Sequence, residues 1–344
     1  MDTIQVRPDE QLNESALADY LYDKLPGASQ PLTVRQFGGG AANLTYLLDY
    51  GHYEYVLRRP PLGPVAPSAH DMGREYRVLS QLHPAFAQAP QTFLFCNEPE
   101  IIGAPFFIME RRHGTVVRRE LPHQFNTPEA PRALSLALVD TLADLHAVDY
   151  SMIGLSHIGK PDGFILRQVV GWYERWNKAK TDDLPAMENV YAWLCEQQPP
   201  ASAPTLVHND YKLDNVMFRQ NDPSQLIAVF DWDMCTLGEP LADLGTLLCY
   251  WSQPDDPPAL QAVAMMPTDG RFATRDELVA RYAERSGRDV SHIRYYHVLG
   301  LYRLVVILAQ IYARYQRGQT KDARFAQFGE IIPIMAQAAA DLTK

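Results

Sequence analysis

Apolar positions recur along this chain with two periods, and the switch between them outlines the elements. Over residues 32–58 they alternate or run in short blocks. LTVRQF, NLTYLLDY and YEYVLRR read as three strands, the last two joined by a Gly-His turn. Before them, Leu12, Leu17, Tyr20 and Leu21 fall on one side of a first amphipathic helix predicted over residues 9–25. Residues 60–70 are a proline-rich loop, Asp71 opens a helix over MGREYRVLSQLH, and APFFIM (Ala104 to Met109) is a buried strand. From Pro128 the helical period takes over. Leu134, Leu138, Leu142 and Leu145 make one stripe on a core helix ending at His146. Phe164 to Cys195 reads as two helices rich in aromatics, among them Trp172, Tyr173, Trp176, Tyr191 and Trp193. Pro240 to Trp251 begins another, and the tail is helical over Thr274 to Ser286, Val290 to Arg317 and about Asp322 to Leu342. The most apolar stretch, Val298 to Tyr312, is interrupted by Arg303 and reads as a core helix too short to span a bilayer. There is no internal repeat.

Between the helical stretches lies a different pattern, TLVHNDYKLDNVMF followed by LIAVFDWD. It reads as strand, loop, strand, turn, strand. Leu206 and Val207 lead into a polar loop holding His208, Asp210, Lys212, Asp214 and Asn215, and Val216 and Phe218 resume the apolar run. Asn221, Asp222 and Pro223 mark a turn, and Leu226 to Phe230 delivers Asp231 and Asp233 at its end. An acid at the head of a loop, an amide five positions on and a second acid at a hairpin mouth suit a divalent cation and a phosphate. Mg2+ prefers hard oxygen ligands and borrows the rest from phosphates and water. Asp214 reads as a solvated loop charge. His-x-Asp also occurs in iron-binding facial triads, but that reading needs a distal histidine and leaves Asn215 and Asp231 without a task.

Composition narrows the classes. The chain has 344 residues, room for two lobes, and 47% apolar residues, enough for a large core. A net charge of -10 and a pI near 5.5 argue against nucleic acid as the main partner. MDTIQVRPDE has no basic start followed by an apolar run, so no secretory signal is expected. Cys96, Cys195, Cys235 and Cys249 are scattered, which suits reduced thiols in a cytoplasmic protein and argues against a zinc site. No membrane partner is expected, and the oligomeric state is left open.

H-x-D-x-x-x-x-N followed by an acid on a hydrophobic strand resembles the catalytic core of the protein kinase-like fold. The tryptophan of DWD and the GEPLADLG after it are similar to the small-molecule branch, the aminoglycoside phosphotransferase and choline kinase superfamily. Within it, the chain most resembles the kinase-like domain that some longer proteins carry ahead of an acyl-CoA dehydrogenase domain. The likeness runs from the glycine stretch near residue 38 to the helical tail. It implies a two-lobed α+β fold. The small N-terminal lobe, residues 1–110, would have an antiparallel sheet and one key helix, and residues 111–344 a larger, mainly helical lobe.

The resemblance also implies roles. Gly38, Gly39 and Gly40, with Asn43, take the place of the nucleotide loop, where backbone N–H groups approach phosphate oxygens. Protein kinases put a lysine on the following strand. The first 110 residues hold one lysine, Lys24, outside that strand, so Arg58 is the candidate phosphate contact. Val56 and Arg58 share a strand face and Arg59 points away. Glu75 lies four and seven residues before Leu79 and Leu82, on a face that reads as buried, where a carboxylate needs a partner. The resemblance makes that partner Arg58, while Arg74 and Arg77 read as solvated. Glu110-Arg111-Arg112 corresponds to the linker between lobes, whose backbone would meet the adenine. Asp210 would orient a hydroxyl and accept its proton, and Lys212 would contact the γ-phosphate. Asn215 and Asp231 would hold Mg2+, and Asp233 would hold a second ion or cap the next segment. His208 would pin the loop, and Asp243 would brace it through backbone hydrogen bonds.

The implied function is ATP- and Mg2+-dependent phosphorylation of a hydroxyl on a small molecule. Two alternatives stand beside it: a catalytically silent nucleotide- or acyl-binding module, for which Arg58 in place of lysine speaks, and an aminoglycoside kinase. An acyl-CoA dehydrogenase is disfavoured, because the helices left after residue 251 are too few for a flavin domain. From Ser252 to Lys344 there are ten acidic and twelve basic residues, so the chain's acidity lies elsewhere. That balance suits a neutral or anionic acceptor, such as a hydroxylated acyl group, better than a polycation.

Overall fold

A computed structural model of the chain describes residues 3–38, 43–63, 70–264, 266–320 and 322–344. Its contacts divide it into two units. One comprises Met1–His113 with Ala228–Cys235, and the other Gly114–Ile227 with Thr236–Lys344.

The first unit is built on a six-stranded antiparallel sheet. The strands are β1 (Thr3–Ile4), β2 (Thr33–Phe37), β3 (Leu44–Asp49), β4 (Glu54–Arg59), β5 (Thr92–Cys96) and β6 (Phe106–Glu110), in spatial order β1-β2-β3-β4-β6-β5. Alternation sorts their side chains. Tyr46, Leu48, Tyr55, Leu57, Phe106 and Ile108 join one core with Leu17 and Leu21 of helix α1 (Glu14–Leu21). That helix is shorter than the pattern over residues 9–25 suggests, because the Asn13 side chain accepts the N–H of Ala16 and starts it there. Arg59 is buried among the side chains on this face and donates to the carbonyl of Ile102.

Val56 and Arg58 emerge on the opposite face, where Arg58 pairs in register with Phe107 of β6. Helix α2 (Met72–Leu82) packs there against β5 and β6. Asp71 caps it by accepting the N–H of Arg74 at 2.9 Å, a bond worth about 1 kcal/mol. Its buried side is Met72, Glu75, Val78, Leu79 and Leu82, so the helical period carries one carboxylate into an apolar face.

The second unit is mainly helical: α4 (Ala130–His146), α5 (Phe164–Ala179), α6 (Pro185–Glu196), α7 (Pro240–Tyr250), α8 (Pro258–Val263), α9 (Arg275–Ser286), α10 (Ile293–Gln316) and α11 (Phe328–Asp341), following the short α3 (Pro99–Ile102) of the first unit. Two small antiparallel pairs interrupt the helices: β7 (Thr205–Val207) with β10 (Thr236–Gly238), and β8 (Val216–Arg219) with β9 (Asp222–Val229). Helices α7 and α10 approach closely because glycines face each other. A Cβ on Gly245 would strike the carbonyl of Tyr296, and one on Gly300 would lie 2.9 Å from the carbonyl of Gly245. Helix α10 lies within the helix read over Val290 to Arg317, and at 24 residues it is by length and composition long enough to cross a bilayer, as its apolar run Val298 to Tyr312 alone is not. Two thirds of its most apolar window is buried inside the protein, against α7, α11 and α5, as in a core helix.

Candidate functional site

In the first unit, Arg58 gathers the acids. Its Nε donates to Glu75 Oε2 at 2.9 Å and its Nη2 donates to Asp231 Oδ1. Glu75 is 1% exposed and Arg58 9%. Burial works against the arginine's charge, but Glu75, Asp231 and Asp233 outweigh it and hold its proton more tightly than usual. Burial pushes the Glu75 carboxyl up to about 7, while Arg58 pulls it back and the charges of Asp231 and Asp233 add to the rise.

Asp231 itself sits at φ +68°, a left-handed backbone that costs a non-glycine residue about 1 to 3 kcal/mol. Beside it, Asn43 Nδ2 donates to Asp233 Oδ2 at 3.4 Å, and Asn43 Oδ1 lies 2.8 Å from His70 Nδ1. Arg74, expected to be solvated, instead ties this segment down. It donates to the carbonyls of Asp233 at 2.9 Å and Cys235 at 2.6 Å. Arg77, by contrast, is exposed. Of the glycine stretch, the carbonyl of Gly38 accepts from Arg7 Nη2 at 3.4 Å, and Gly39 and Gly40 lie outside the described residues. Glu110 donates its N–H to the carbonyl of Gln91 at 2.8 Å, and its carboxylate pairs with Arg112.

In the second unit, the loop after β7 is fixed from inside. Tyr211 and Leu213 are buried, and Tyr211 Oη donates to the carbonyl of Leu138 at 2.8 Å. Alternation then turns Asp210 and Lys212 the other way. Lys212 Nζ lies 2.9 Å and 3.1 Å from the two Asp210 oxygens. Asn215 Nδ2 donates to Asp210 Oδ2 at 2.8 Å and to its carbonyl at 2.9 Å. Burial opposes the Lys212 charge, but Asp210, then Tyr250 and Asp214, hold its pKa above the ordinary value. The ammonium also lies 5.0 Å from the Tyr250 ring centroid.

Asp243, fully buried on α7, accepts the N–H of His208 at 2.6 Å and of Asn209 at 2.7 Å. Burial would raise its carboxyl, yet its hydrogen bonds with the His146 ring and the His208 amide hold it below the ordinary range. His208 is itself buried, and its Nδ1 accepts the N–H of Asp210 at 3.2 Å. Asn209 takes φ +64°. Asp214 is not the solvated charge its sequence position suggests. Its Oδ1 is enclosed with no hydrogen-bond partner among the described residues, and burial raises its pKa.

A lysine and an amide thus converge on one carboxylate, on a loop braced by a buried acid. The description "Phosphotransferase enzyme family" matches residues 33–285. The chain belongs to that family. Among curated relatives, Acyl-CoA dehydrogenase family member 11 of Gallus gallus is 31% identical over 352 residues, covering 99% of this chain but 45% of the relative. The phosphotransferase chain thus spans about half the length, or less, of the curated relatives it matches. Among solved structures, a putative aminoglycoside phosphotransferase from Ralstonia eutropha superposes with a TM-score of 0.83 at 27% identity, covering 97% of this chain and 98% of the other. A thermostable mutant of aminoglycoside phosphotransferase APH(4)-Ia, in complex with AMP-PNP and hygromycin B, superposes at 0.60 with 17% identity, over 95% and 98% of the two chains. The architecture is therefore the two-lobed, kinase-like α+β fold of this family.

Sequence reasoning missed three features of this phosphotransferase. The left-handed backbones at Asn209 and Asp231 carry no glycine to announce them. Arg74 shows only a helical charge. His146, which meets Asp243, sits in the sequence where a histidine reads as the end of a core helix.

Proposed function

We propose that this chain transfers the γ-phosphoryl group of ATP to a hydroxyl of a small molecule. The observation that carries the reading is the Asp210 carboxylate, held by Lys212 and Asn215 on a loop anchored through Asp243. Phosphoryl transfer is mostly positioning and charge neutralisation. Asp210 would accept the hydroxyl's proton, and Lys212 would move from Asp210 to the γ-phosphate. Arg58 would meet the α- and β-phosphates through Nη1, since its Nε and Nη2 serve Glu75 and Asp231. Gly38, Gly39, Gly40 and Asn43 would cover the phosphates, and the backbone at Glu110 would border the adenine.

The donor chemistry fits Mg2+. Both Asn215 Nδ2 bonds go to Asp210, which leaves Oδ1 as a hard oxygen donor, and Asp231 and Asp233 supply carboxylates. An ion held by these residues would neutralise phosphate charge. The nucleotide in the APH(4)-Ia complex supports the ATP reading.

For the acceptor, we favour a neutral or anionic hydroxylated acyl compound, possessed of or lacking a CoA group. The relatives named for acyl-CoA dehydrogenases support it. So does the charge on the Lys212 side of Asp210: Lys212 lies 5.0 Å from the Tyr250 ring centroid, and the charge of Arg303 also reaches Tyr250. With labelled ATP, a 4-hydroxyacyl-CoA should be phosphorylated and kanamycin, at equal concentration, should not. Efficient labelling of kanamycin, with none of the acyl compound, would restore the antibiotic-kinase reading. No labelling from any metabolite pool, with ATP still bound, would favour the silent module.

A further inference from the structure

Three residues at the start of α2 reach Asp231 and Asp233, each by a different route. Glu75 meets Arg58, which meets Asp231, and Arg74 donates to the carbonyl of Asp233. The third is His70, one residue before the cap Asp71. Its Nδ1 stands 4.0 Å from Asp233 Oδ2, beyond hydrogen-bond reach, and Asn43 fills the gap. Asn43 Nδ2 donates to Asp233 Oδ2 at 3.4 Å, and the oxygen at the other end of the same amide lies 2.8 Å from His70 Nδ1. The acidic end sets the direction of this relay. A carboxylate accepts, so the amide turns its NH2 to Asp233 and its oxygen to the ring. The ring nitrogen facing that oxygen must then carry the proton, which makes His70 Nδ1 the donor. All of these residues belong to the first unit.

We infer that His70 is a positioning residue for the metal: through Asn43 it holds the Asp233 carboxylate in one orientation, ready to take Mg2+ with the nucleotide. The inference rests on the kinase reading of the site. Its physical ground is twofold. Arg74 fixes the backbone of Asp233 but leaves the carboxylate to turn about its last torsion, which is a soft one. The bond from Asn43 to Oδ2 restrains that turn, and Asn43, 6% exposed, is itself held at its far end by His70. The second ground is the backbone of His70, at φ +58°. Histidine enters this left-handed region more readily than most side chains, though less freely than glycine. Such a turn persists where its surroundings over-determine it, and it gathers at functional sites. Here it lets one residue aim its ring at Asn43 while the next, Asp71, caps α2. Outer partners that orient a metal-binding carboxylate typically change metal affinity about 10- to 100-fold when removed.

The test is calorimetry of ADP binding to the full chain, with Mg2+ and with EDTA in its place. It compares the wild-type chain with His70→Gly and His70→Asn. Glycine keeps the left-handed turn and removes the donor. Asparagine also tolerates that backbone, and its Nδ2 takes the place of the ring Nδ1. His70→Gly should weaken Mg-ADP binding about tenfold, the low end of the range for an outer partner, and leave metal-free ADP binding within about twofold. His70→Asn should recover most of the loss. Asn43→Ala should lose the same Mg2+ dependence, and adding His70→Gly to it should cost little more, as for residues acting in series. Mn2+ titrated onto the ADP-bound chain, followed by electron paramagnetic resonance, should bind more weakly in His70→Gly by the same factor. Unchanged Mg-ADP and Mn2+ binding in His70→Gly would overturn the inference. So would an equal loss with and without Mg2+, the mark of a disturbed nucleotide loop, or a loss in His70→Asn as large as in His70→Gly. Failure of the kinase reading looks different: the wild-type chain would itself show no Mg2+-dependent ADP binding, which would overturn the reading and the inference together.

Discussion

Asp210→Asn should lower phosphoryl transfer by about 10³-fold, within the range of a lost general base, while Mg-ATP binds nearly as before. The asparagine keeps the shape of the side chain and can still accept from Lys212, so the loop should stay in place. What it loses is the capacity to take a proton. Asp231→Asn should behave in the opposite way, weakening Mg-dependent nucleotide binding at least about tenfold, or about 1.4 kcal/mol. Arg58 would still have Glu75, so this substitution strands no buried charge. Calorimetry with and without Mg2+, beside the transfer rate, separates the two. If Asp210→Asn loses ATP and Asp231→Asn keeps it, the roles of the two acids are reversed.

The parts legible in the sequence are those set by local period. Strand alternation puts Arg58 on one face of β4 and Tyr55 and Leu57 on the other, and the helical repeat carries Glu75 to the buried side of α2. The motif from His208 to Asn215 was legible as a loop because it is a mostly polar stretch between two apolar runs. Asp243 was legible as a brace only through the family resemblance, since an acid on an apolar helix does not name its partners. What stayed hidden depends on neighbours distant in sequence. Arg74 looks like any helical surface charge until the carbonyls of Asp233 and Cys235 are brought to it. Asp214 looks solvated because it sits in a loop of mostly polar residues, yet tertiary packing encloses Oδ1. The helix read over Val290 to Arg317 contains α10, which starts three residues later and ends one earlier, and Arg303, which interrupts its apolar run, leaves the buried helix over the face of Trp172.

The same burial that makes Glu75 legible makes the Arg58–Glu75 pair sensitive to the loss of either partner. Arg58→Met leaves a carboxylate at 1% exposure without its cation, a change that costs about 3 to 5 kcal/mol when the acid stays ionised. The acid has an escape, which is to take up a proton. Already pushed up to about 7 with Arg58 present, its pKa should rise further without it. A carboxyl whose folded pKa lies above the unfolded value, near 4.5, binds more protons when folded than when unfolded throughout the window between the two. Stability in that window therefore falls as pH rises. Arg58→Met should accordingly unfold at lower urea at pH 8 than at pH 6, by more than the wild-type chain does. Glu75→Gln should remove most of that pH dependence, and the double variant should be more stable at pH 8 than Arg58→Met alone. A coupling of about 2 kcal/mol is expected from the cycle. In activity, each single change should misplace the phosphate contact proposed for Arg58, so the second should add little to the first. Simple additivity in both stability and rate would mean that Arg58 and Glu75 do not meet in the working enzyme.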